Sequence, residues 1–472
     1  MLNDKFVSAI FCAPTGEYEN YPSRLTDEVF AALKNMGINR IFGYGFDSRA
    51  ETVERTFELC EKYGILYYPT PSACGRYVCL TGDKAYWKLS ETERQQLDDD
   101  FVAEVAALAE HKAFGGIMFG DEAGYLAFDG AAHACNVFKA HFAEYEFMYN
   151  FFSYSIDEKI FWTGIESAPT ECAELQPKPF ELTGDLQVSF ANRFRVYDKL
   201  LTGFLDKAVP SYVSQDRYPM EPHWAEVPTS VHVALFELSA VMSQAKRKYG
   251  MGSYNYVQVG QWGNDIRRMT NKGELLLQIN VILSYGNDGV AFFPGAFPLD
   301  WRNIPSYNAA KNGESSLIDI YGNVTRFGKW LADTQPFYDA IAAEMRASNF
   351  VGVSAYGHYD NGFILDKVAS LPDSECIYQG NFPDMCYARD ENIVVDSTNQ
   401  VAVSLFEHDD KRRYFVTNLS SVYGNKVELT LPESNYVATL QDGTTIEFNG
   451  KIRVDFAAGE AMWIVSKKID TY

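Results

Sequence analysis

From the N-terminus to about Thr334, short runs of β-branched and aromatic residues alternate with longer segments whose apolar positions recur every three or four residues. Repeated βα units around a parallel sheet produce this pattern. Eight runs read as strands: residues 6–11, 40–44, 65–68, 116–119, 159–163, 212–215, 254–259 and 289–293. Eight is the number that closes a (β/α)8 barrel. The intervening segments carry helix signals. Val29, Leu33 and Met36 share a face behind Asp27 and Glu28, and Gly37 ends that run. Residues 97–111 place Phe101, Val105 and Leu108 on one side. Asn271, with Glu274 three residues on, predicts a capped helix that uses Leu275, Ile279, Ile282 and Leu283 against the barrel wall and stops at Gly286.

Beyond Ser348 the period changes to two, with tight turns and almost no helical signal. Residues 401–406 and 413–417 flank a polar turn at 408–411, residues 436–440 and 445–448 flank Asp442-Gly443, and a last strand spans 461–465. The fold class expected is therefore α/β: a (β/α)8 TIM barrel over residues 1–347 and a C-terminal all-β sandwich domain over 348–472.

Composition narrows the partners. Lys and Arg number 41 against 63 Asp and Glu, a net charge of −22, which repels phosphate backbones and anionic membrane surfaces, so neither nucleic acid nor membrane is expected as a partner. The first residues lack a basic start followed by an apolar run, and no stretch approaches the about 18 apolar residues of a membrane span, so no export signal or span is expected. Eight cysteines without a CxxC pair suggest reduced thiols and a cytoplasmic location. Aromatic residues make up 15% of the chain. Most of that load suits a core, but part of it could form a ligand platform.

Barrel enzymes place their chemistry at the C-terminal ends of the strands. Carboxylates just past the expected strand ends are Glu17, Asp47, Asp121, Glu122, Glu166, Asp216, Asp265 and Asp300. Surface placement or helix capping accounts for most of them. Two groups stand out. The run Gly116-Gly-Ile-Met-Phe-Gly-Asp-Glu-Ala-Gly124 puts Asp121 and Glu122 at the mouth after strand four, with glycines that permit close approach. The run Tyr212-Val-Ser-Gln-Asp-Arg-Tyr-Pro219 puts Asp216 after strand six, beside Arg217, whose charge is expected to keep a neighbouring carboxylate ionised. Carboxylates facing each other across a shared cavity suit glycosidic bond cleavage, one giving a proton to the leaving oxygen and the other attacking or activating water. Trp224, Trp262 and Trp301 follow strands six, seven and eight, and Trp162 ends the expected strand five. Either they offer faces to a sugar ring, with Gln258, Gln261 and Asn264 among them, or Trp162 is core and the others cover the barrel end.

Other chemistries lack their signatures. There is no P-loop, no GxGxxG after a strand, no HExxH and no GxSxG, and of the seven histidines only His223 sits in a mouth loop. No cofactor and no metal are expected.

On the runs 116–124, 214–219 and 285–293 the chain resembles the retaining glycoside hydrolases with a (β/α)8 barrel and a C-terminal β-sandwich, the β-galactosidase-like and cellulase-like superfamily. The resemblance covers roughly residues 5–345 as architecture. It implies an acid/base Glu after strand four, matched by Glu122, with Asp121 where the superfamily usually has Asn. The superfamily's nucleophilic Glu at the end of strand seven has no counterpart, because the chain there reads Val257-Gln-Val-Gly-Gln-Trp262. Three accounts follow: Asp216 supplies the second carboxylate, Asp121 pairs with Glu122, or the barrel binds sugar without cleaving it. The first is preferred. It gives a glycosidase of small oligosaccharides or glycosides with catalytic Glu122, Asp216 and Asp121. Substrate would be held by Gln258, Gln261, Trp262, Trp301, Trp224, Arg217 and Tyr218. The alternative is a carbohydrate-binding barrel that has lost the strand-seven nucleophile, and a third option is a metal-dependent hydrolase using Asp47, Asp121 and Asp216. The β domain either packs on and stabilises the barrel or serves homo-oligomerisation.

Overall fold

The computed structural model of the chain describes residues 4–17, 21–43, 49–152, 158–164, 178–180, 190–220, 228–260, 270–298, 315–356, 388 and 390–467. Eight parallel strands form one sheet: β1 (Val7–Phe11), β2 (Arg40–Gly43), β3 (Leu66–Pro69), β4 (Gly116–Asp121), β5 (Glu146–Phe151), β6 (Tyr212–Gln215), β7 (Gly252–Gln258) and β8 (Gly289–Phe293). Their order is β3-β2-β1-β8-β7-β6-β5-β4. The two ends meet where Tyr67 N donates to Ala113 O (2.8 Å) and Gly115 N donates to Tyr67 O (3.0 Å). The sheet is thus a closed barrel with a C-terminal β domain, as expected.

Around and between the strands lie α1 (Asp27–Asn35), α2 (Ala50–Tyr63), α3 (Cys74–Tyr77), α4 (Glu91–Ala109), α5 (Phe128–His141), α6 (Glu158–Thr163), α7 (Phe190–Leu205), α8 (Pro228–Tyr249), α9 (Lys272–Ser284) and α10 (Arg326–Ala347). Thr26 caps α1 by accepting from Val29 N, and Asn271 with Glu274 forms a full capping box on α9. A second capping box, Ser90 with Glu93, starts α4 six residues before the expected position.

The expected fifth strand is wrong. Residues 159–163 belong to α6, and β5 is formed by 146–151. A short apolar run does not by itself distinguish helix from strand. Connection length does: β5 starts within five residues of the end of α5, whereas a strand at 159 would need a much longer link inside a βα unit. Trp162 therefore lies on a helix, fully buried against Tyr125, Phe161 and Phe180, and not at a strand tip.

Alternation sorts the barrel side chains into two apolar clusters. Val7, Ala9, Phe11, Phe42, Tyr68, Met118, Met148, Tyr254, Tyr256 and Ala291 fill the interior, while Ile10, Ile41, Ile117, Phe147, Tyr149, Val213 and Phe292 join the core under the helices. Arg40 is also buried inside the barrel. Its Nη2 lies 3.2 Å from Glu146 Oε1, its Nε 3.2 Å from the Tyr68 hydroxyl, and its guanidinium 5.5 Å from the Tyr212 ring centroid.

The C-terminal strands β9 (Asn349–Tyr356), β10 (Val394–Ser397), β11 (Val401–His408), β12 (Lys411–Asn418), β13 (Asn425–Leu440), β14 (Thr445–Phe456) and β15 (Ala461–Ser466) pair antiparallel. Asp409 and Asp410 both take positive φ (50° and 58°), the geometry of a two-residue hairpin that matches strand twist. Between Thr430 and Asn435 the register of β13 shifts; its first part pairs with β10 and its second with β15. Val427 and Leu429 thereby share one cluster with Val403, Tyr414 and Val416, which gives the domain a sandwich-like interior. The opposite face, with Ala402, Phe406, Phe415 and Trp463, joins the barrel core. Helix α9 lies between the two layers and is buried on every side from Gly273 to Ser284, which explains why its sequence is apolar all round. Asn280 Nδ2 donates to Gln441 Oε1 (2.9 Å) and Gly459 O (2.8 Å) across this junction.

Candidate active site

The placement of Asp121 depends on one extra residue. β4 pairs with β5 as Met118↔Met148 and then Gly120↔Tyr149 and Asp121↔Asn150, so Phe119 is a bulge. Met118 and Met148 face the interior, and Phe119 and Tyr149 face the helices. Without the bulge, strict alternation from Met118 would turn Asp121 outward. With it, Asp121 shares the inward parity of Asn150. Glu122 follows at φ 51°, a left-handed conformation uncommon for a non-glycine residue, and its N–H donates to Asn150 O (3.1 Å). Of the two glycines flanking the pair, Gly124 has a steric role: a Cβ there would meet Gly164 N at 2.4 Å. One at Gly120 would make only ordinary contact with Tyr149.

Asn150 joins the three strand tips. Its Nδ2 donates to Asp121 Oδ1 (2.7 Å), its Oδ1 accepts from Ser214 Oγ (2.6 Å) on β6, and its side chain also hydrogen-bonds Asp216. Asp216, immediately after β6, is further hydrogen-bonded to the side chains of Glu122 and Tyr218. The structure thus brings Glu122 and Asp216 into direct contact, with Asp121 attached through Asn150. Tyr218 stacks on Phe293 with ring centroids 5.3 Å apart, which aims its hydroxyl at Asp216.

Burial pushes the Asp216 carboxyl above the ordinary carboxylate range. Hydrogen bonds from Glu122, Tyr218 and Asn150 favour its ionised form and act against burial, but burial is the larger effect. Because Glu122 hydrogen-bonds Asp216 directly, the two carboxyls titrate as a pair.

Gln258, the last residue of β7, is fully buried. Its Oε1 accepts from Met220 N (3.0 Å) and its Nε2 donates to Gly260 O (3.1 Å), while its backbone is clasped by Gln278. The amide ties the segment after β6 to the end of β7. Gln261, Trp262, Trp301 and Trp224 lie outside the described residues, as do Asp47, Glu166, Asp265, Asp300, His223 and Asn264. Among the described residues no group of three His, Cys, Asp or Glu side chains is arranged to hold a metal, and no helix is long and apolar enough to cross a membrane.

Asn150 and Ser214 are absent from the sequence-derived site. Ser214 stands two residues before Asp216 and so shares its face. Asn150 was hidden by the misplaced fifth strand: in 146–151 it is the inward residue two after Met148, a position that strand parity alone identifies.

Over nearly its whole length the chain superposes on solved structures. Amy13B of Eubacterium rectale matches with a TM-score of 0.50 at 9% identity, covering 98% of this chain and 96% of that one. The likeness is one of fold. Gan42B, a GH42 beta-galactosidase from G. stearothermophilus, matches at TM-score 0.49 and 8% identity, covering 98% of both chains. A glycoside hydrolase family 5 protein from Bacteroides vulgatus matches at 0.42 and 12%, covering 99% of this chain and 90% of that one. No protein-family model and no curated protein matches the chain by sequence.

Proposed function

We propose that the protein is a glycoside hydrolase in which Glu122 is the general acid and Asp216 the nucleophile or general base. The observation that carries this reading is the direct hydrogen bond between two carboxyl groups at the tips of β4 and β6, one of them raised by burial. In the singly protonated pair, Glu122 gives its proton to the glycosidic oxygen as the bond to the anomeric carbon breaks. Asp216 then either forms a bond to that carbon or takes a proton from the attacking water. Asp121, fixed by Asn150, adds negative charge beside the developing oxocarbenium ion. Retaining enzymes hold their carboxyl groups about 5 Å apart and inverting ones about 6.5–9.5 Å, so a sugar entering between Glu122 and Asp216 has to separate the hydrogen-bonded pair. Arg217 and Tyr218, with Gln261, Trp262, Trp301 and Trp224, are proposed to contact the sugar, and Gln258 to position the loop that carries Tyr218. The free thiols at Cys12, Cys60, Cys74, Cys79 and Cys135 fit a cytoplasmic site of action.

A panel of aryl glycosides tests the proposal. Turnover by the wild type, with Glu122→Gln and Asp216→Asn each lowering kcat by several orders of magnitude in a folded protein, is the expected result. Full activity in either variant removes that residue's role. Calorimetric binding of the same sugars without turnover would favour a carbohydrate-binding barrel, the reading that the non-acidic end of β7 supports.

A further inference from the structure

A cavity of about 300 Å³ opens on the helix side of β4, between the segment after β3, the first turns of α4 and the start of α5. Its wall carries Tyr77, Tyr86, Trp87, Arg94, Asp129 and His133. Tyr77 and Tyr86 are buried, and Tyr77 packs on Phe101 and Phe119, so the cavity floor is part of the core outside the barrel, separate from the interior site. The volume accommodates a single pyranose.

The charges around it are unequal. Asp129 is paired with Lys207 (2.5 Å), and Asp98, behind the wall, is shared between His133 Nε2 (2.9 Å) and the Tyr77 hydroxyl (2.8 Å). Arg94 differs. Among the described residues its side chain makes no hydrogen bond and no ion pair, its Nε is covered, and its guanidinium only lies 5.1 Å from the Tyr86 ring centroid. An unpaired guanidinium in a chain of net charge −22, where carboxylates outnumber cations, is a site left open for an anion. The planar fork suits a carboxylate, and the aromatic wall with the half-buried Trp87 suits the C–H face of a sugar ring.

We propose that this cavity is a secondary binding site for a pyranose bearing a carboxylate, a uronate-type sugar, with Arg94 taking the carboxylate and Trp87 the ring. The assignment stands apart from the carboxyl pair, because a free monosaccharide binds without being cleaved. Calorimetry on the full chain with glucuronate and galacturonate, against glucose and galactose as neutral controls, tests it. The uronates should bind at least tenfold tighter than their neutral counterparts. Arg94→Gln should abolish that preference, Arg94→Lys should keep only part of it, and Trp87→Ala should weaken both classes. Arg94→Gln should leave turnover of aryl glycosides unchanged, which separates failure here from failure of the catalytic proposal. Equal affinity for neutral and acidic sugars, no binding at millimolar concentrations, or a preference that survives Arg94→Gln would each overturn it.

Discussion

Replacing Asp216 by Asn should make the protein more stable at neutral pH and leave it nearly unchanged at low pH. In the fold, burial holds this carboxyl above its ordinary value of 3.8, so the folded state binds the proton more tightly than the open chain. The sign follows from linkage. The group contributes its full stability below pH 3.8, and that contribution is lost as pH rises through the folded value, beyond which the buried charge is a constant cost. Each tenfold excess of proton affinity in the fold corresponds to about 1.4 kcal/mol. Asn removes the titration while its carbonyl still accepts from Tyr218 or Glu122, so at least that amount should be regained for each tenfold. With an unfolding entropy of about 2.1 cal/mol/K per residue, each such tenfold is an increase in Tm of about 1–2 °C at pH 7. Urea unfolding at intervals from pH 4 to pH 8 reads it directly as a gap between variant and wild type that opens with pH and then levels. A gap independent of pH, or an Asn variant less stable at pH 7 than at pH 4 relative to wild type, would refute the burial argument.

Other consequences are more local. Tyr218→Phe removes a donor that favours ionised Asp216, so its carboxyl should move further up and the acidic limb of kcat/KM against pH on an aryl glycoside should shift to higher pH. Asn150→Ala leaves the Ser214 hydroxyl and the Asp121 carboxylate without their shared partner; a loss of about 1–3 kcal/mol in urea and a fall in kcat larger than any change in KM are expected. Arg40→Met strands Glu146 inside the barrel and should cost about 3–5 kcal/mol, much of it recovered when Glu146→Leu is added. Asn280→Ala breaks the bonds to Gln441 and Gly459 and should expose the junction of the two layers to limited proteolysis.

Much of this architecture was legible because local signals agreed with one another. The Asn271/Glu274 box, the Asp442-Gly443 turn and seven of the eight barrel strands combine a period, a cap and a turn residue that point to one structure, and the structure has them. The fifth strand failed where only composition was used. Residues 159–163 and 146–151 are both short apolar runs, and what separates them is the short link to α5 and the partners waiting on β4 and β6. That single displacement had a chemical consequence, because it removed from view Asn150, the side chain that links Asp121 to Ser214 and Asp216. The bulge at Phe119 was equally invisible, since nothing in Gly116-Gly-Ile-Met-Phe-Gly-Asp-Glu marks an extra residue until a partner strand is in register. Asp121 points inward because of pairing, and pairing is a property of two segments. The carboxylates could be found by their distance past a strand end. The amide and the hydroxyl that link them required the sheet.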